Sequence, residues 1–420
     1  MLDATFMSDA FHVLAMRGKL LAVLLLIGFS MACGMCKSDP ATGKVRVMFV
    51  GEVSSYNRMV LDWLMAEPRI QLTRTVPCDI QIVGYKDAVR FARIYLPRSY
   101  KGLFEDNDVA IFHDFHPKVL PRGSIDWFGR AVENGFGLCL IEFAYRVAGY
   151  AGMDVWPTLQ IYKLFPGEFV INQIEAIYGR QYYRVVKEGP LLGLPGIEKY
   201  RMNWGWHGDL KPRPGTVVWA VWKGRGTPAI VTGTYGQGKV LQMDSGYDTL
   251  PQETKRAWPY VADFVYNHVT FVSGLPFPDD IELTHTTRRK FIRYRDEKAM
   301  ANMVLEFIEK FGANPRPFEV EMADMASEYS KAERLYIDGD VEEANAAIDD
   351  LLDRFVSLSN EMTKAKDRAM LWIYVSEWLA VSGTSLVCGF VLWSLMVRKR
   401  LYREVEITRA SGVVKKEWGK

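Results

Sequence analysis

The stretch "HDFH" sets His113, Asp114 and His116 within four residues. Imidazole and carboxylate side chains at this spacing can exchange protons near neutral pH or hold a divalent metal. On the strand and helix reading given below, the stretch follows a strand, and doubly wound sheets bind ligands at the carboxyl ends of their strands. Glu52, Glu142 and Asp244 follow other strand-like runs and reach the same edge. No third imidazole has a recognisable metal-ligand spacing, so the expectation is ligand-facing loop polarity, with no metal and no cofactor. His207 in "WGWHGD" reads as an ordinary loop residue and Glu377 as an interfacial one.

A second motif invites a different chemistry. In "GTYGQGKV", Gly233, Gly238 and Lys239 have the G-x-x-x-x-G-K spacing of a phosphate-binding loop. Such a loop continues with Ser or Thr, whose hydroxyl holds Mg²⁺, and opens a helix whose amides face the phosphates. Here Val240 follows, and "PAIVTGTY" and "KVLQMD" are apolar runs of strand length. The pattern predicts a β-hairpin with a glycine-bearing turn.

The 420 residues suffice for two or three compact units, and a net charge of +2 gives no reason to expect nucleic-acid binding. Two segments carry membrane signals. Arg17 and Lys19 precede an uncharged run, Leu20 to Met31, with small residues Ser30 and Ala32 placed for a signal peptidase. Cleavage, acylation at Cys33 and retention as an anchor all remain open for residues 1–36. Trp378 to Val397 is twenty residues without a charge, enough to cross a bilayer core. Trp372, Trp378 and Trp393 fit interfacial belts, and Arg398, Lys399, Arg400 and Arg403 begin a basic tail, 398–420, expected to stay cytoplasmic. The main domain is then expected on the extracytoplasmic side of the cell membrane. In an oxidising compartment Cys78 and Cys139 could pair, a point that spacing leaves open.

Residues 44–275 alternate between strand and helix patterns: "KVRVMFVGE", "NDVAIFHDF" and "GLCLIEF" as strands, "NRMVLDWLMAE" and "SIDWFGRAVENG" as helices. This order implies a mostly parallel doubly wound α/β sheet, to which the late hairpin adds an antiparallel portion. "GLPFPDD" opens a linker, placed at 276–296. Beyond it, Met322, Met325, Tyr329, Ala332 and Tyr336 recur at helical spacing, and after "DGD" so do Val341, Ala344, Ile348, Leu351, Phe355, Leu358, Met362, Ala365, Ala369 and Trp372. The spacing predicts a helical hairpin stalk over 297–372 whose second arm enters the membrane, with the 341–372 seam open to self-association or to a membrane-protein partner. Unbroken from Val341 to Val397, that arm would be roughly 85 Å long.

Three phrases resemble the class I glutamine amidotransferase-like superfamily, in particular its trehalose-utilisation-type and membrane-protein branches. They are "LFEDNDVAIFHDFHPKVLPRGSIDWFGRAVENGFGLCLIEF", "GTPAIVTGTYGQGKVLQMDS" and "AWPYVADFVYNHVTFVSG", all within 44–275. In catalytic members a cysteine on a sharp strand-to-helix turn attacks the glutamine amide, helped by a late His and Glu. The resemblance places Cys139 at the nucleophile, but Ile141 and Glu142 stand where Gly and His are expected. The late pair is replaced by "QMDSG", which offers Asp244 and no histidine. A thiol without an adjacent base is a poor nucleophile near neutral pH. The expectation is therefore a membrane-anchored, non-catalytic module that binds a ligand or a protein. The alternative is a membrane-tethered hydrolase of sugars or cell-envelope material, using Glu142 and Asp244, which needs His113, Asp114, Glu142 and Asp244 to converge within about 6 Å.

Overall fold

The computed structural model describes residues 38–53, 58–78, 80, 82–114, 116–121, 123–141, 155–170, 181–203, 209–247, 250–311 and 314–417. The chain divides into two compact units, one of Met1–Ile292 with Lys331–Ala346, the other of Arg293–Ser330 with Ala347–Lys420.

The first unit is built on an eight-stranded sheet. Its strands are β1 (Val45–Gly51), β2 (Ile70–Pro77), β3 (Val109–His113), β4 (Gly137–Ile141), β6 (Tyr183–Val185), β8 (Val217–Trp222), β9 (Pro228–Tyr235) and β10 (Gly238–Met243). A separate pair, β5 (Gly167–Phe169) and β7 (Leu210–Pro212), is antiparallel. The large sheet runs in the order β2-β1-β3-β4-β10-β9-β8-β6. Neighbours from β2 to β10 are parallel, and those from β10 to β6 are antiparallel. The fold is the expected α/β sheet, mostly parallel across its first five strands.

Why these runs form a central sheet is visible in their side-chain alternation. Val47, Phe49, Ile111, Cys139 and Leu241 enter one buried layer, against Val60 and Leu64 of α1 (Arg58–Ala66) and Phe264, Val265 and Val269 of α6 (Val261–Ser273). Met48, Val50, Ala110, Phe112, Leu138, Leu140 and Val240 enter the opposite layer. There they meet Ala88 and Ala92 of α2 (Tyr85–Tyr95) and Phe128, Ala131 and Val132 of α4 (Ser124–Glu133). Both faces are covered, so β1, β3 and β4 are near-continuous apolar runs instead of alternating with polar residues. Two further helices, α3 (Tyr100–Asp106) and α5 (Gln252–Ala257), complete the connections.

The stretch with nucleotide-loop spacing is the β9–β10 hairpin. Tyr235 pairs with Gly238 across a two-residue turn, and Gly236 has φ +60° at its first position, as a type II′ turn requires. A Cβ on Gly238 would stand 2.1 Å from the Val132 carbonyl oxygen. The glycines are there because the turn packs onto the end of α4, and no phosphate is needed to explain them.

Residues 276–296 are not a simple linker. The prolines end at Pro278, and α7 (Ile281–Lys310) begins at once, with the Leu283 N–H donating to the Asp280 carboxylate at 2.8 Å. Three long helices therefore follow the sheet instead of two: α7, α8 (Arg316–Asp338) and α9 (Val341–Glu417). The last is unbroken, and it is long and apolar enough to cross a membrane. Trp378, Leu386 and Phe390 on it are 77, 75 and 66% exposed, which fits a lipid-facing segment and no soluble core helix.

The two units use charge differently. In the first, Arg288 of α7 is buried and ion-paired with both Glu67 and Asp263, its guanidinium 4.3 Å from the Tyr266 ring centroid. Burial works against that charge, and the two carboxylates outweigh it. In the second, Tyr294 stacks on Tyr329 at 4.8 Å and meets Phe355 edge-on at 5.6 Å. Arg354 there bridges Glu321, Asp324 and Glu328 while staying about a third exposed. Removing one member of a buried network strands the others without water, whereas an exposed arginine is readily replaced by solvent. Arg288→Ala should lower stability by about 3–5 kcal/mol, and Arg354→Ala by about 0–1 kcal/mol. Urea unfolding of the two full-length variants measures both, and equal midpoints would contradict the assignment.

Candidate functional site

Strand β1 is followed in sequence by β2 on one side of it and then by β3 on the other. The strand order reverses at β1 and β3, which stay parallel, and such a switch point opens a crevice at the carboxyl ends of the two strands. Gly51 ends β1 opposite His113, which ends β3. The two ends come unusually close: a Cβ on Gly51 would lie 1.7 Å from the His113 carbonyl oxygen, and Gly51 has φ +140°, a region that favours glycine. That approach lets the Glu52 N–H donate to the same carbonyl at 2.9 Å. The first residue past β3, Asp114, donates its N–H to the Ile141 carbonyl of β4 at 3.2 Å. It does so at φ +41°, the one positive φ of a non-glycine residue among those described. A left-handed aspartate costs on the order of 1 kcal/mol, and such strain gathers where a side chain must be aimed.

The outcome is a cluster. Ligand atoms of Glu52, His113 and Asp114 all lie within 4.8 Å of one another. His113 is fully buried, its ring between Phe49 (5.7 Å) and Tyr247 (5.6 Å). The Tyr247 backbone N–H donates to Nε2 at 2.9 Å, which commits that lone pair. The neutral ring then carries its proton on Nδ1, which lies 4.0 Å from an Asp114 oxygen. This tautomer decides the chemistry. A protonated Nδ1 has no lone pair for a metal, so the imidazole acts as a donor beside two carboxylate acceptors. The trio suits hydroxyl or cationic ligand groups better than a divalent ion.

The other candidates lie elsewhere or outside the described residues. His116 is buried, and its Nδ1 accepts the Lys118 N–H at 3.2 Å, capping the single turn Pro117–Val119. Asp244, just past β10, is buried, and its oxygens accept from the Trp222 indole N–H at 3.2 and 2.9 Å. Burial pushes its carboxyl well up, against the opposing pull of the Trp222 bond. It is not one of the three converging groups, and its enclosure leaves little access for a substrate. Glu142 and His207 lie outside the described residues, as do Cys33 and the amino-terminal export segment.

Cys139 sits at the centre of β4, not on a turn, and has no exposed surface. Its Sγ faces the His268 backbone carbonyl at 3.7 Å instead of an imidazole nitrogen. Burial alone pushes the thiol above its ordinary range, so it stays protonated and unreactive. Cys78 and Cys139 do not form a disulfide with each other, and they lie in opposite core layers.

Two residues escaped the sequence reading. The Tyr247 hydroxyl shares a 2.8 Å hydrogen bond with His268 Nδ1, and both side chains are fully buried beneath the crevice. Phe264, His268 and Val272 are four residues apart on α6, so the inward stripe of that helix was the signal that His268 is a core residue.

No family model matches this chain, and no curated protein matches it. Among solved structures, the cytoplasmic protein STM3548 from Salmonella typhimurium is similar over 54% of this chain and 99% of its own. Its identity is 16% and the TM-score 0.44. The cytoplasmic protein STM1381 from Salmonella typhimurium LT2 covers the same shares at 16% identity and a TM-score of 0.42. The exo-beta-1,4-mannosidase Op5Man5 from Opitutaceae bacterium strain TAV5 is similar over 55% of this chain and 36% of its own, at 10% identity and a TM-score of 0.32. None of these likenesses is close enough to transfer an activity.

Two measurements probe this architecture. Gly51→Ala must move backbone, and should cost about 2–3 kcal/mol. Gly84→Ala has φ +78° but nothing within 4 Å of the new Cβ, and should cost about 1 kcal/mol. Urea midpoints that fall in the opposite order would refute the close approach. Burial lowers the His268 pKa from 6.5 to about 3. The unfolded chain therefore takes up this proton first, and the stability contributed above pH 6.5 is lost as pH falls toward 3. His268→Gln should flatten the stability profile between those limits, with little change in slope above pH 7.

Proposed function

We propose that this chain is a membrane-anchored ligand-binding module on an amidotransferase-like scaffold that does not perform amidotransferase chemistry. The observation that carries the reading is the position of Cys139: mid-strand, fully buried and held as a thiol. A nucleophile needs an exposed turn and a nearby base, and Cys139 has no exposure and turns its sulfur to the His268 backbone carbonyl. What the strand ends offer instead is the trio Glu52, His113 and Asp114 at the sheet's switch point. Two carboxylates beside an N–H donor match a small polyhydroxylated or cationic ligand. The apolar segment of α9 would hold the module on the membrane. The export-like amino terminus and the basic run after Val397 support an extracytoplasmic main domain.

The test uses the full chain in detergent, titrated by calorimetry with glutamine, a panel of mono- and disaccharides, and spermidine. Ammonia release from glutamine is followed in parallel. We expect no turnover, and binding of a sugar or of the polyamine that weakens at least tenfold in Glu52→Gln and in Asp114→Asn. Asparagine tolerates positive φ, so the second substitution removes charge without adding strain. Ammonia release abolished by Cys139→Ser would overturn the reading. So would an absence of binding across the panel, or binding that neither variant weakens.

A further inference from the structure

In the second unit a groove of about 640 Å³ lies between one face of α9 and a wall made by Phe311, just past α7, and Phe318 of α8. Across from these rings, α9 contributes Glu361, Lys364, Arg368 and Trp372. Their spacings of three and four residues put them on one side of the helix. Trp372 is 72% exposed, and it precedes Trp378 by six residues, about 9 Å along the axis. The groove thus sits just outside the segment that would enter the bilayer, at the depth where lipid headgroups lie.

We infer that this groove holds the headgroup of a phosphatidylethanolamine molecule from the membrane that α9 crosses. The inference rests on the span reading of Trp378–Val397. Its ground is the order of charges along one rigid helix. Nearest the bilayer is an indole, then come Arg368 and Lys364, and farthest out is Glu361. An ethanolamine lipid presents the same sequence of partners: acyl and glycerol carbons, then phosphate, then ammonium. Lys364 and Glu361 are three residues apart, about 4.5 Å of helix rise, which suits a phosphate and its neighbouring ammonium. Among the described residues neither Lys364 nor Arg368 is ion-paired to a carboxylate, so both are available to a phosphate. Phe311 is 41% exposed and Phe318 half-buried, and the two supply an apolar surface for the glycerol backbone. A glycerol headgroup would leave Glu361 facing no cation. A free phosphate would make no use of the three aromatic rings.

The experiment uses the full chain, extracted in detergent and stripped of lipid. Short-chain phosphatidylethanolamine and phosphatidylglycerol are titrated separately, and bound lipid is read by native mass spectrometry with indole fluorescence alongside. We expect at least a tenfold preference for the ethanolamine lipid. The Lys364→Ala/Arg368→Ala double variant should weaken both lipids tenfold or more, as loss of charge-assisted contacts predicts. Glu361→Gln should abolish the preference while leaving phosphatidylglycerol binding intact. Glu361, Lys364 and Arg368 are all exposed, so the variants should fold, which circular dichroism checks. Equal affinity for the two lipids, or indifference to the double substitution, overturns the inference. Equal competition by soluble glycerophosphoethanolamine also overturns it, by pointing to a free ligand. Alkaline extraction of native membranes separates the two levels. If the chain is released, the span reading fails and the groove falls with it. If the chain stays in the membrane while the lipids are not discriminated, only the groove assignment fails.

Discussion

The contact on which the rest of the first unit depends is the near-collision of β1 and β3 at Gly51 and His113. No side chain can stand at position 51, because its Cβ would overlap the opposing carbonyl oxygen. With that space left open, the Glu52 amide reaches the His113 carbonyl, and the chain leaves both strands at one point. Three further consequences follow from the same contact. The Glu52 carboxylate comes beside the imidazole, Asp114 is forced into a left-handed turn to reach Ile141, and His113 is fixed where the Tyr247 amide can hold its Nε2. A sheet whose strands reverse order always opens a crevice there. In this chain the crevice is lined by polar groups because glycine allows two backbones to converge.

The same sheet explains why amidotransferase-type chemistry would be out of reach. Cys139 belongs to the continuous apolar run "GLCLI", and a strand buried on both faces must place alternate residues in opposite layers. Its parity sends the thiol toward α6, into the layer that holds Phe264 and Val265. A reactive cysteine requires the strand to end earlier, so that the sulfur stands on a turn above the sheet. The two hydrogen-bonding histidines do not rescue it. His113 is engaged with the Tyr247 amide, and His268 turns its ring to the Tyr247 hydroxyl while only its carbonyl faces the sulfur. Imidazole, phenol and thiol are all fully buried.

The parallel part of the sheet was legible in the sequence because doubly buried strands are short apolar runs bounded by turn residues. The hairpin was legible because Val240 replaced a hydroxyl residue and a strand pattern replaced a helix. The long helices showed in their three- and four-residue spacing. The antiparallel edge was not legible, since β6 has only three residues and carries no period. The start of α7 was obscured by the Pro- and Asp-rich "GLPFPDD", which reads as the opening of a linker that runs on through "RRK". One of those arginine positions, Arg288, instead carries the buried ion pairs. At the site, Glu52, His113 and Asp114 could be picked from strand-end logic. Separating them from His116 and Asp244 needed three-dimensional information. A cap bond on His116 and an indole bond on Asp244 consume groups that look equally available in the sequence.

The continuity of α9 has a consequence for anything bound at the membrane surface. A binding site made of loops can adjust its depth, but residues on one unbroken helix keep fixed heights, about 1.5 Å apart per residue. If the apolar segment of α9 spans a bilayer, Glu361, Lys364, Arg368, Trp372 and Trp378 form a ruler whose zero is the bilayer boundary. Shifting the span by a single residue would rotate the charged face by about 100° as well as raising it, so depth and direction cannot be tuned separately. A ligand recognised by this face must itself have a fixed order of apolar, anionic and cationic parts along the membrane normal. Lipid headgroups have that property because the bilayer orients them, whereas a soluble ligand must give up its rotational freedom to acquire it.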